Sequence, residues 1–186
     1  TKGDEKAFLA DARREICDRF LDNASCRILD YAVPVRRADG SYEDGVNDWH
    51  RAIAAIYERT LLNDVGADET LGLLVWGDPM LYDSTLRIAE RLTLPLTRRV
   101  IPGITAIQAL CAAHAIPLND VGAPVLITTG RQLRDHGWPA GVDRIVVMLD
   151  GECSFQHLDP QGLTIWWGAF LAMPEQLLRH GPLAET

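Results

Sequence analysis

Between Asp4 and Leu21, apolar Phe8, Ala12, Ile16 and Phe20 recur every four residues with Asp, Glu and Arg between them. This spacing predicts an amphipathic helix with Asp4 as a candidate cap. Ile28 to Val33 reads as a short strand, and Arg36 to Gly45 as a polar loop. From Asn47 onward Trp49, Ile53, Ile56 and Thr60 form one stripe, predicting a second helix capped by Asn47 or Asp48. The run Leu71 to Trp76 shows no polar alternation and stops at Gly77-Asp78-Pro79, the pattern of a strand buried on both faces of a parallel sheet. A helix from Pro79 or Tyr82 to Leu92, a strand at Arg98 to Ile101 and a helix from Ile104 to Ala115 follow. Beyond them, apolar strands are expected at Pro124 to Thr129, Arg144 to Leu149 and Leu163 to Trp167.

This alternation makes the chain an α/β protein with two α/β domains. The turn-rich stretch Leu118 to Gly122 divides them into residues 1–119 and 120–186. No internal repeat or low-complexity tract is visible, which removes solenoids and propellers. A parallel α/β domain usually starts with a strand, whereas this chain starts in a helix and stops in a Pro-Leu-Ala-Glu-Thr tail. The expectation is truncation at one or both ends.

Composition narrows the function classes. With 47% hydrophobic and 24% charged residues in 186, the chain can bury one sizeable core or two small ones. A net charge of -8 disfavours duplex nucleic acid and anionic membrane surfaces as partners. The longest apolar runs fall far short of a bilayer span and no charged-then-apolar leader opens the chain, so a cytoplasmic location is expected. Cys17, Cys26, Cys111 and Cys153 are scattered, with no pair at metal spacing, and are expected to be reduced thiols without a structural metal.

Two loops carry candidate chemistry. Gly77 and Asp78 would sit at the carboxyl end of a buried parallel strand, the edge where open α/β sheets bind ligands, and Gly77 would let a ligand approach the backbone. Asp78 before Pro79 is equally well read as a helix cap with proline at the first helical position. Ile101 to Gln108 again ends a strand and opens a helix, so that backbone amides and the Thr105 hydroxyl would point into the same cleft. Neither loop is a dinucleotide fingerprint or a Walker loop, so nicotinamide and nucleoside triphosphate readings gain nothing.

The stretches Trp76 to Tyr82, Ile101 to Ala106, Thr128 to Arg131 and Val146 to Asp150 resemble the ordered motifs of the tetrapyrrole methylases. Within that family, Val33 to Arg36, Asn47 to Arg51, Leu149 to Gln156 and Ile165 to Leu171 resemble the members that methylate C1 of precorrin-5 and release acetate in aerobic cobalamin synthesis. The likeness runs from the first residues to about Leu178.

The resemblance implies two domains with S-adenosylmethionine bound in the cleft between them, a corrin-precursor substrate and a homodimer. It assigns cofactor contacts to Trp76, Gly77, Asp78, Leu81, Thr105, Ala106, Met148 and Gly168. The family's opening strand, its glycine- and proline-rich loop and its last stretch, beyond the Trp-Trp-Gly strand, are expected to be missing from the sequence.

A sulfonium methyl group is already activated, so its transfer needs alignment and desolvation more than a strong base. Acetate release needs water addition and a positioned acid or base, for which Tyr31, His50, Glu152 and His157 are unranked candidates, each also explicable as an ordinary structural residue. Arginine forks suit a polycarboxylate ring. Arg36, Arg37 and Arg131 are the substrate-binding candidates, with Arg98, Arg99 and Arg134 placed similarly in loops or at element ends. Trp49, Trp166 and Trp167 could face a flat macrocycle, although core packing explains the two strand tryptophans better. The alternatives are another tetrapyrrole methylase acting at a different ring carbon, or a non-catalytic tetrapyrrole-binding module.

Overall fold

The computed structural model describes residues 2–22, 25–36 and 41–185, with side chains from Ala10 onward. The chain falls into two compact units, Thr1–Pro102 and Gly103–Thr186.

The first unit is built on helices. α1 spans Lys2–Phe20, so Asp4 lies inside its first turn instead of capping it. The Ile16 and Phe20 stripe is largely exposed, and Cys17 is the buried residue among the described side chains of α1. α2 spans Tyr42–Asp64 and begins ahead of Asn47, because the Ser41 hydroxyl accepts the Asp44 amide and caps the helix there. Its buried face is His50, Ile53, Ala54 and Tyr57. Ile53, Ala54 and Tyr57 join Ile88 of the short α3, Thr85–Ala89, in the unit's core, with Trp49, Leu73 and Leu92 packed against it.

The apolar run at 71–76 differs from its expected form. It lays Leu73 on the core while Leu74 and Trp76 stay roughly half exposed, so one face is open. A strand needs a neighbour for its N–H and C=O groups. Among the described residues, 28–33, 71–76 and 98–101 belong to no ladder. The expected helix after Asp78 also shrinks to α3: residues 79–84 turn instead, and Asp83 Oδ1 accepts the Thr85 amide at the start of α3.

The second unit holds the ladders. α4, Ala106–His114, starts at Thr105 and ends at Ala115 in a left-handed conformation (φ 53°). β1, Leu126–Thr129, pairs in parallel with β2, Ile145–Met148, placing Thr129 opposite Met148. α5, Gly130–His136, follows β1 directly. β3, Thr164–Ala169, pairs antiparallel with β4, Leu177–Pro182, with Trp166 opposite His180 and Gly168 opposite Leu178. The Pro-Leu-Ala-Glu-Thr segment therefore starts on the last residue of β4, with a 3-10 turn at Leu183–Glu185. Because α4 packs on β3, it groups with these strands.

Candidate functional site

In the first unit the candidate residues cluster on the loop after the open run. Gly77 has φ 69°, a left-handed conformation that glycine takes without strain. The Asp78 carboxylate accepts the Met80 amide at 2.8 Å, and the Leu81 amide bonds the Asp78 carbonyl. No helix starts at Pro79, so Asp78 organises an Asx turn and not a helix cap. Trp76 presents its ring to the Arg13 guanidinium, 5.0 Å from the ring centroid, which ties α1 to the loop. Arg36 stacks over Tyr42 at 5.2 Å. Arg37 lies outside the described residues.

In the second unit, Thr105 and Gln108 form a reciprocal capping box: the Thr105 hydroxyl accepts the Gln108 amide and the Gln108 side chain accepts the Thr105 amide. The capping box uses the Thr105 and Gln108 amides and does not involve those of Ala106 and Ile107. Gly168, on β3, is hemmed in: a Cβ would come within 2.7 Å of Leu171 and 2.8 Å of Leu110. Met148 closes β2.

Just beyond Met148, the Asp150 carboxylate accepts both the amide and the hydroxyl of buried Ser154 at 2.7–3.0 Å. Leu149 and Cys153 bracket this clasp with φ of 53° and 54°, so the turn is held in a conformation its side chains disfavour. Gly130 abuts Asp150, fixing the start of α5, where Arg131 is exposed. A cavity of about 220 Å³ beside α5, lined in part by Thr128, Leu133 and His136, includes none of the candidate residues. Among the described residues, no three His, Cys, Asp or Glu side chains form a group that could hold a metal ion.

Tyr31, His50, Glu152 and His157 stand in different environments. Glu152 is exposed and paired with Arg134 at 2.6 Å. His50 is buried with Nε2 lacking a partner, and burial, then Arg91 and Arg87, lower its proton affinity. Tyr31, 42% exposed, meets the Tyr57 hydroxyl at 3.1 Å. Burial first, then that hydrogen bond, pushes Tyr57 up. His157 lies in the 3-10 turn Ser154–His157. Trp49 donates to the Pro34 carbonyl, so its indole is spent on structure.

The family model for Tetrapyrrole (Corrin/Porphyrin) Methylases matches residues 5–186. The chain belongs to the tetrapyrrole methylases. It is 49% identical to a precorrin-6A synthase [deacetylating] of Sinorhizobium sp, covering 100% of this chain and 73% of that protein. It is 30% identical to a precorrin-2 C(20)-methyltransferase of the same source over 54% of this chain and 43% of that one. Among solved structures, a cobalamin synthesis related protein (CobF) from Corynebacterium diphtheriae superposes with a TM-score of 0.79 at 38% identity, covering 97% of this chain and 72% of that one.

Trp76, Gly77, Asp78 and Leu81 lie in a loop, Thr105 and Ala106 at the start of α4, Met148 on β2 and Gly168 on β3. Arg13 beside Trp76 and the Asp150–Ser154 clasp are not among the residues the sequence singles out. Only the Asp-Gly-Glu-Cys-Ser run gave a signal, since a serine four residues after an aspartate suits a carboxylate-closed turn.

Among the described residues, no helix is long and apolar enough to cross a membrane.

Proposed function

We propose that the protein is an S-adenosylmethionine-dependent C-methyltransferase that methylates C1 of precorrin-5 and releases acetate, giving precorrin-6A. The observation that carries this reading is the 49% identity to a deacetylating precorrin-6A synthase along the whole chain. The likeness to a C(20)-methyltransferase spans 54% of the chain, which favours C1 over C20 as the site of methylation.

The residues present suit the cofactor. Gly77 at φ 69° allows backbone to approach a ligand closely, and the Ala106 and Ile107 amides offer donors to an anionic group. In this reading Trp76, Gly77, Asp78, Leu81, Thr105, Ala106, Met148 and Gly168 are the S-adenosylmethionine contacts. The bound cofactor supplies an activated methyl group. Asp78 keeps its loop shaped through the Met80 amide, and the Asp150–Ser154 clasp keeps Met148 and α5 in register. These contacts fix the loops that would align the donor, which is what the transfer requires. Arg36, Arg37 and Arg131 are assigned to the carboxylates of the corrin precursor.

Acetate release adds water across the extruded acetyl group and breaks its bond to the ring. Tyr31, exposed and bonded to a protonated Tyr57, is better placed to exchange a proton than buried His50 or ion-paired Glu152. The same reading makes the protein a cytoplasmic homodimer.

Incubation with methyl-labelled S-adenosylmethionine and precorrin-5 tests the proposal. One labelled methyl group in precorrin-6A for each acetate released is the expected result. Methylation without acetate would overturn the deacetylating assignment.

A further inference from the structure

The end of α4 and the β3 strand meet through two contacts that the cofactor assignment leaves unused. His114, in the last turn of α4, brings Nε2 to 3.0 Å from the Trp167 carbonyl oxygen. The acceptor is a carbonyl, so the imidazole Nε2–H donates, and both the neutral Nε2–H tautomer and the imidazolium can do this. Four residues earlier on the same face of the helix, Leu110 occupies the space a Cβ on Gly168 would need. The His114 ring also rests edge-on against His180 of β4, with centroids 5.9 Å apart.

Both α4 contacts therefore fall at one peptide link, the one joining Trp167 to Gly168. Leu110 sets how closely the helix approaches, because glycine leaves it room. A packing contact of this kind tolerates sliding along the helix axis, whereas a hydrogen bond to one carbonyl does not. The nine residues of α4 form a rigid rod about 13 Å long, so fixing its last turn on β3 also fixes its first. That first turn carries Thr105 and the Ala106 and Ile107 amides.

We infer that His114 is a positioning residue for the cofactor site: its bond to the Trp167 carbonyl holds Gly168 and the amino end of α4 at one spacing. The inference rests on the reading of Thr105, Ala106 and Gly168 as cofactor contacts. It explains a histidine in a helix otherwise made of alanine, isoleucine, leucine, cysteine and one capping glutamine. It also separates two roles at the Trp167–Gly168 link, contact distance from Leu110 and register from His114.

Calorimetric titration with S-adenosylhomocysteine, well below the melting transition, compares the wild type with His114→Gln and His114→Leu. Glutamine can place an amide N–H near the position of Nε2, and leucine cannot donate. The expected result is binding roughly tenfold weaker for His114→Leu, the size of one lost bond to a part-buried carbonyl, with His114→Gln close to wild type. If the leucine variant does not fold, His114→Asn, whose shorter amide stops before the carbonyl, takes its place with the same expected loss.

A merely structural role would lower the melting temperature and leave the affinity of the folded variant unchanged, which overturns the inference. Equal losses in His114→Gln and His114→Leu overturn it too. No binding by the wild type removes the cofactor reading itself, and the inference with it.

Discussion

Gly130 opens α5 so close to Asp150 that a Cβ built on it would lie 2.3 Å from the carboxylate Oδ1 and 2.7 Å from the Asp150 Cβ. The carboxylate cannot swing aside, because Ser154 holds it through amide and hydroxyl. The crowding at Gly168 is different in kind, since the atoms in the way are the terminal methyls of Leu110 and Leu171, which can rotate. Gly130→Ala should therefore destabilise the protein by about 2–3 kcal/mol and Gly168→Ala by about 1 kcal/mol. Denaturant unfolding of the two variants measures the difference, and equal losses would show that the Asp150 clasp yields.

Tyr31 and Tyr57 share one hydrogen bond but not one environment, Tyr57 being 6% exposed and Tyr31 42%. Tyr31→Phe leaves the buried Tyr57 hydroxyl without its partner, at a cost of about 1–3 kcal/mol. Tyr57→Phe leaves Tyr31 free to bond water and should cost clearly less. Melting curves of both variants check the order, and the reverse order would mean that the Tyr57 hydroxyl reaches solvent.

His50 gives stability a pH dependence of definite sign. Its folded-state proton affinity is lowered, first by burial and then by Arg91 and Arg87, from an ordinary value of 6.5. The unfolded chain then binds the proton more readily, so this contribution is present above 6.5 and is lost as pH falls from there toward the lowered folded value. His50→Leu should flatten the fall in melting temperature across that window. An unchanged slope would assign the acid sensitivity to other groups.

The second unit was the more legible in sequence. β1, β2 and β3 lie where the apolar runs place them, because each finds a paired segment within the described residues. Leu71 to Trp76 has the same composition, but among the described residues it has no ladder partner, and a hydrophobic pattern cannot say whether a neighbour is present. α2 starts earlier than its apolar stripe implies, because Ser41 caps it ahead of that stripe. β4 has no signal in the sequence because Arg179, His180, Gly181 and Pro182 carry no apolar alternation, and the strand is held by its ladder with β3.

The candidate site was legible as motifs and not as contacts. Gly77, Asp78 and Thr105 could be singled out from strand-end loops. That Asp78 makes an Asx turn, and that Thr105 spends its hydroxyl on a capping box, depends on backbone geometry that no residue pattern prints. The capping box has a measurable side: Thr105→Ala should cost about 1 kcal/mol of stability, read by thermal unfolding, and a neutral change would show that the Gln108 side chain alone caps α4.

Titration of the protein and its Asp78→Ala variant with S-adenosylhomocysteine tests the central claim most directly. The account predicts binding by the wild type and roughly tenfold weaker binding by the variant, whose loop loses the bond to the Met80 amide. Absence of binding by the wild type, or equal affinity in both, would contradict the assignment of the Gly77–Asp78 loop to the cofactor.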